Sequence, residues 1–198
     1  CRKKIRVSTE HLLSLVNDVL QVSKLESGSP TDVAEPYDLH DTLEDCISIL
    51  SPLAEERRIS LVMDQAGLQH TKIIGNPLHL RQILMNVIDN ALKYNRPHGS
   101  VLIQVKETAC QGQNANYLFV VEDTGIGIGE DFKEHIFEPF SRAEESRGSK
   151  IEGTGLGMAI AQNIVQMMNG TIQVKSEKGR GSQFTVTLYL KHQNPAER

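Results

Sequence analysis

A chain of 198 residues with 39% hydrophobic and 23% charged residues has the length of one domain plus an appended element and can bury a real core. Its net charge of -4 argues against nucleic acid as the main partner, because phosphate-backbone binding shows as a basic face. Three distant cysteines, Cys1, Cys46 and Cys110, exclude a disulfide framework and a zinc knuckle and fit a reducing cytoplasm.

Residues 1–26 carry Ile5, Leu12, Leu15, Val19 and Val22 at alternating steps of three and four, with Ser8 at the missing step. Leu13, Val16 and Leu20 widen the stripe, so the spacing predicts a bundle helix that needs partners on two sides. Glu26-Ser27-Gly28-Ser29-Pro30 stops it and places a domain boundary at 28, with a linker over 29–36. The sequence opens at Cys1 without a methionine, in mid-helix, and reads as a piece of a longer protein. No apolar run is long enough to span a bilayer and no signal peptide is present, so any membrane anchor of the parent is expected elsewhere.

Glu35-Pro36-Tyr37-Asp38-Leu39 reads as a short strand, and Asp38 or Asp41 caps a helix running to about Arg57. Ile59 to Met63 alternates as a strand, Ala66-Gly67-Leu68 turns, and Lys72 to Gly75 is a second strand. Asn76-Pro77 opens a helix to about Tyr94, with a core stripe of Leu80, Ile83, Leu84, Val87, Ile88 and Ala91. Gln82, Asn86, Asn90 and Lys93 share another of its faces. Two interior asparagines are poor helix formers; spacing alone is equally compatible with a solvated face.

Strands at Ser100–Val105 and Asn116–Val121 follow, joined by a polar turn over Cys110–Asn114. Next come Glu122-Asp123-Thr124-Gly125-Ile126-Gly127-Ile128-Gly129, a short amphipathic piece over Phe132–Ile136, and Phe137-Glu138-Pro139-Phe140. Residues 141–152, with Arg142, Glu144, Glu145, Arg147 and Lys150, form an unpatterned charged loop. Gly153-Thr154-Gly155-Leu156-Gly157 closes it and leads into a helix through Ile160, Ile164, Val165 and Met168. A final hairpin pairs Thr171–Val174 with Ser182–Leu188, and residues 192–198 form a polar, disordered tail.

Glycines beside a carboxylate and at a helix start suit a nucleotide. A Walker loop needs Gly-Lys followed by Ser or Thr, and a dinucleotide fingerprint needs glycines spaced two then three; neither occurs. What remains is the Asn86/Asn90/Lys93 face, the Asp123 glycine turn, and the cluster from Gly153 to Gly157.

In this order and spacing they resemble the ATP-binding domain shared by sensor histidine kinases, type II topoisomerases, the Hsp90 chaperones and the MutL proteins, over about Tyr37 to Leu190. The likeness is greatest to the histidine kinases. Residues 80–94 resemble their asparagine box, 137–140 their phenylalanine box, and 153–157 their second glycine box. Ser8 to Gly28 resembles the second helix of their dimerisation hairpin, without the first. The resemblance implies a two-layer α/β sandwich, a mixed and largely antiparallel sheet packed on helices over 37–191, preceded by one bundle helix.

The same resemblance implies the site. Asp123 would accept from the exocyclic amine of adenine, where guanine presents an oxygen instead. Tyr94, Gly125, Ile126, Gly127, Ile128 and Thr185 would line the nucleotide, with Phe137 and Phe140 beside it. Asn90 would ligate Mg²⁺. Lys93, Arg142 and Lys150 would offset phosphate charge, and Gly153, Thr154, Gly155, Leu156 and Gly157 would meet the phosphates at a helix N-terminus. Asn86 stands where ATPases of the superfamily carry a water-activating glutamate, so transfer is expected over hydrolysis, with Asn86 and Lys93 as catalytic residues.

None of His11, His40, His70, His79, His98, His135 and His192 is followed by the acidic, basic, polar and proline residues that mark a phosphoacceptor. Autophosphorylation is therefore not expected from this segment alone. The implied partners are a histidine-bearing helix, a response regulator receiver domain and a second copy of the full-length protein, in the cytoplasm beneath a membrane anchor. Two rivals differ in class. A topoisomerase-like clamp expects glutamate at 86 and a long following domain, whereas a non-catalytic nucleotide-sensing module would bind ATP without transfer.

Overall fold

The computed structural model describes Val16 and residues 34–142 and 153–193. The expected N-terminal helix, Val16 apart, and Lys150 lie outside the described residues. Seven strands form one sheet: β1 (Glu35–Asp38), β2 (Ser60–Gly67), β3 (Lys72–Gly75), β4 (Ser100–Gln111), β5 (Asn114–Asp123), β6 (Thr171–Glu177) and β7 (Gly181–His192). Their order is β1-β3-β7-β5-β4-β2. β6 pairs with residues 181–187 of β7, on the edge that β3 takes at Lys191 and His192. β2 and β4 are parallel and the other paired strands antiparallel.

Three helices cover one face: α1 (Leu39–Arg57), α2 (Pro77–Lys93) and α4 (Gly157–Met167), with α3 (Glu130–Lys133) a single turn. α2 lies between α1 and α4 and against β4 and β5. Its buried stripe of Leu80, Ile83, Leu84, Val87, Ile88, Ala91 and Leu92 meets Ala115, Tyr117, Phe119 and Val121, the alternate residues of β5 that share one sheet face.

Local chemistry sets the helix starts. Asn76 accepts from the Leu78 amide at 3.0 Å and Pro77 occupies the first turn of α2. At α1 Asp38, not Asp41, is the cap: its carboxylate accepts from the His40 amide at 2.9 Å and pairs with Lys72 at 2.7 Å. Burial pulls that carboxyl up, but the Lys72 ammonium and the His40 amide win and hold it below its usual value. Asp38→Ala is expected to cost about 1 kcal/mol in urea unfolding at neutral pH. Because the folded pKa is depressed, this contribution is present above the unfolded value of about 3.9. It is lost as pH falls through the folded one, so the two proteins converge in acid.

Three expectations are corrected. The hairpin turn is not Cys110–Asn114 but Gly112-Gln113, because pairing of Cys110 with Ala115 and of Gln111 with Asn114 outweighs the polar composition. β2 does not turn at Ala66; it shifts register after Asp64 and pairs Gly67 with Lys106 of its parallel neighbour. The tail does not begin at 192: His192 is buried, stacks on His70 with ring centroids 4.2 Å apart, and pairs with Ile73.

Candidate functional site

Asp123 ends β5 with its side chain on the helix-facing side, 7% exposed. Its Oδ1 accepts from the Gly125 amide at 2.8 Å, and the amide of its cross-strand partner Ser182 is directed to the same carboxylate. Burial pushes the carboxyl up to about 6, opposed by those two amides and reinforced by Glu122. A buried carboxylate whose donors among the described residues are two backbone amides keeps lone pairs for a further donor, and burial makes such a bond worth more than it is in water.

The chain after Asp123 is pinned on both sides. Ile126 donates its amide to the Tyr94 carbonyl at 3.0 Å and receives the Gly179 amide on its own carbonyl at 2.7 Å. Ile128 donates to Ser176 Oγ at 2.8 Å. Asn95 ties the end of α2 to the sheet by donating to the Ser100 carbonyl at 3.0 Å, and Thr124 Oγ1 accepts from the Ser100 amide at 2.8 Å. The glycine turn is thus a rigid wall built from α2, β4 and the β6–β7 turn.

The second wall joins the asparagine face to the other glycine cluster. A Cβ on Gly157 would stand 3.2 Å from Asn86 Oδ1, so the asparagine side chain abuts the first turn of α4. Asn86 Nδ2 is buried with no acceptor among the described residues. The α4 N-terminus has no side-chain cap, and the Leu156 amide turns back to Thr154 Oγ1 at 3.2 Å. An orphaned donor beside an uncapped helix start fits an anionic oxygen in both hydrogen bonding and dipole. Phe140, in a left-handed conformation with φ 62°, donates its amide to the Gly155 carbonyl at 3.1 Å; Phe137 packs on the core.

The expected residues fall into two groups: Tyr94, Asp123 and Gly125 to Ile128 at the end of β5, and Asn86, Phe140, Gly155, Leu156 and Gly157 at the start of α4, with α2 contributing to both. Asn90 lies one helical turn after Asn86 on the same face of α2, half-buried. Lys93 is paired with Asp89 at 2.5 Å, one turn back on α2, and the Tyr94 carbonyl accepts from the Ile126 amide. One placement differs from the expectation. Thr185 lies on the opposite face of β7, because Ser182, Phe184, Val186 and Leu188 hold the buried phase, so Thr185 does not join the cluster. Ser182, which no motif singles out, is the β7 residue that pairs with Asp123 on the buried face, and the apolar phase of β7 is the signal for that placement.

No group of three metal-ligating residues occurs among the described residues. Three of the described histidines have side-chain partners of their own: His70 with Glu107 at 2.8 Å, His40 with Gln65 at 2.9 Å, and His135 with Glu138 at 2.8 Å. His11 lies outside the described residues. Among the described residues no helix is long and apolar enough to cross a membrane.

A family model described as histidine kinase-, DNA gyrase B-, and HSP90-like ATPase matches residues 75–192. The chain is 36% identical over 188 residues to the autoinducer 2 sensor kinase/phosphatase LuxQ of Vibrio parahaemolyticus, covering 94% of this chain and 22% of that protein. It is 35% identical over 186 residues to the sensor protein GacS of Pseudomonas syringae, covering 94% and 20% respectively. The chain thus spans about a fifth of the length of these relatives. Full-length ShkA in complex with AMPPNP superimposes with a TM-score of 0.82 at 32% identity, covering 99% of this chain and 39% of that one. The histidine kinase AdeS of Acinetobacter baumannii, at 24% identity and a TM-score of 0.74, shares the fold.

Proposed function

The chain belongs to the family of histidine kinase-, DNA gyrase B-, and HSP90-like ATPases, and on that footing we propose that it is the catalytic ATP-binding domain of a two-component sensor histidine kinase. It takes ATP with adenine against Asp123 and transfers the γ-phosphoryl to a histidine outside this sequence, for relay to a response regulator receiver domain. The observation that carries the reading is a buried carboxylate with backbone partners in the same domain as an orphaned asparagine donor that abuts an uncapped helix start.

At the first wall, Asp123 accepts from the adenine amine, and the fixed segment from Gly125 to Ile128 lies beside the base. At the second, Asn86 Nδ2 and the opening amides of α4 meet phosphate oxygens. Asn90 supplies a neutral oxygen of the kind Mg²⁺ accepts, one turn from the phosphate-facing Asn86. Such an ion, when bound, neutralises charge on the transferring phosphoryl. Asn86 is an amide and cannot take a proton from water, so positioning dominates and the acceptor is an imidazole rather than water.

The test supplies a histidine-bearing dimerisation hairpin in trans with Mg²⁺ and ATP labelled at the γ position. Label should pass to the hairpin histidine. Asn90→Ala should lower transfer by about a hundredfold with an unchanged melting temperature. ATP binding by the wild type without any transfer would favour a nucleotide-sensing module; no ATP binding would end the reading.

A further inference from the structure

Ser176 lies on β6, outside the residues to which a nucleotide role has been given, and its hydroxyl oxygen has three polar neighbours. The Gly181 carbonyl is 2.8 Å away, the Ile128 amide 2.8 Å, and the Ser182 hydroxyl 2.9 Å. A serine hydroxyl has one proton to give. The Gly181 carbonyl can only accept and the Ile128 amide can only donate, so Ser176 gives its proton to Gly181 and receives one from Ile128. The direction of the third bond follows: Ser182 must donate to Ser176.

Ser182 is 8% exposed and pairs across the sheet with Asp123 on the same buried face. With its proton committed to Ser176, the Ser182 hydroxyl has only lone pairs for any further neighbour. Two side chains then stand together at the end of β5 and β7, a carboxylate and an acceptor-only hydroxyl. A purine carrying an amino group at position 6 brings two N–H donors there, one for each of these oxygens, whereas a 6-oxo purine has one donor, N1–H, which can serve only one of them and leaves O6 facing the other.

We propose that Ser176 is a specificity-determining positioning residue: by holding the proton of Ser182 it keeps the wall beside Asp123 free of donors, so that the site takes 6-amino purines and rejects 6-oxo purines. The proposal rests on the reading that adenine lies against Asp123. A merely structural role for Ser176, fastening Ile128 to the β6–β7 turn, would weaken every nucleotide alike, and this separates the two.

The experiment measures dissociation constants of ATP and of inosine triphosphate, with Mg²⁺, on this chain at pH 8. Ser176→Ala releases the Ser182 proton, which can then turn to a 6-oxo group, so the preference for ATP over inosine triphosphate should fall by about tenfold or more. Ser176→Thr, which keeps the hydroxyl, should retain the wild-type ratio. Parallel losses of both affinities in Ser176→Ala, with the ratio unchanged, would overturn the proposal. Should that variant not fold, Ser182→Ala decides: its ratio should also fall, and an unchanged ratio overturns the proposal. A wild type that binds both nucleotides equally well would instead remove the adenine reading on which this one stands.

Discussion

Replacing Asp123 by Asn is expected to weaken ATP binding by about tenfold to a hundredfold, the worth of a hydrogen bond to a buried charged group, without lowering the melting temperature of the nucleotide-free protein. The two effects have one cause. Burial raises the carboxyl to about 6, against about 3.9 in an unfolded chain, so the ionised form opposes folding by about 3 kcal/mol. The sign follows from the raised folded pKa: the protonated carboxyl's contribution is fully present below the unfolded value and lost as pH rises through about 6. The stability of the wild type without nucleotide should therefore decline between about pH 4 and pH 6 and level off above that, while Asp123→Asn, having nothing to titrate there, should not share the decline. ATP affinity should move the other way in the wild type, rising through the same window as the carboxylate becomes the ionised acceptor that the amine needs. Thermal melts across pH, paired with calorimetric titration of ATP, check both halves. An Asn variant that binds ATP normally, or whose nucleotide-free form melts well below the wild type at neutral pH, would remove Asp123 from the centre of the site.

How far the sequence foretold this arrangement can be read from particular residues. The stripe of α2 was visible because a 3.6-residue period over seventeen residues is a strong signal, and its cap was legible as Asn76-Pro77. The β4–β5 turn is not legible in polar composition, because cross-strand pairing carries both strands past the polar residues. The burial of His192 is hidden for a related reason: it comes with a ring stack on His70, 122 residues away in sequence, and no local pattern announces such a contact. That Ser182 and not Thr185 lies on the buried face is legible in the sequence, since Phe184, Val186 and Leu188 set the buried phase of β7 and, of the two, only Ser182 shares it. Lys93 was legible as a cation on the asparagine face. That Asp89 would engage it follows from i,i+4 geometry. What no periodicity encodes is the proton bookkeeping of the Ser176–Ser182 pair, which exists only once β6, β7 and the glycine turn are brought together.

The glycines after Asp123 look alike in sequence, yet they should respond very differently to the same substitution. Gly127 has φ 69°, and a Cβ there would overlap the carbonyl oxygen of Glu177 and lie 2.8 Å from its carbon. That carbonyl belongs to the β6–β7 turn, which is fastened to the same segment through Gly179 to Ile126 and through Ser176 to Ile128, so neither side can yield without breaking the other's bonds. Left-handed backbone costs a residue with a Cβ about 1–2 kcal/mol, and the overlap adds to it, so Gly127→Ala should lose roughly 2–4 kcal/mol of stability. The strain falls on the wall beside Asp123, so ATP affinity should drop by about a hundredfold or more even where the protein remains folded. Gly129, two residues on, has φ -68° and open space where a Cβ would go. Gly129→Ala should change stability by less than about 0.5 kcal/mol and leave ATP affinity intact. Urea unfolding and ATP titration of the two variants side by side test whether the turn acts as a rigid wall. Equal damage at both positions would mean that the glycines serve flexibility instead, and equal tolerance would mean that the contact with Glu177 does not hold the turn.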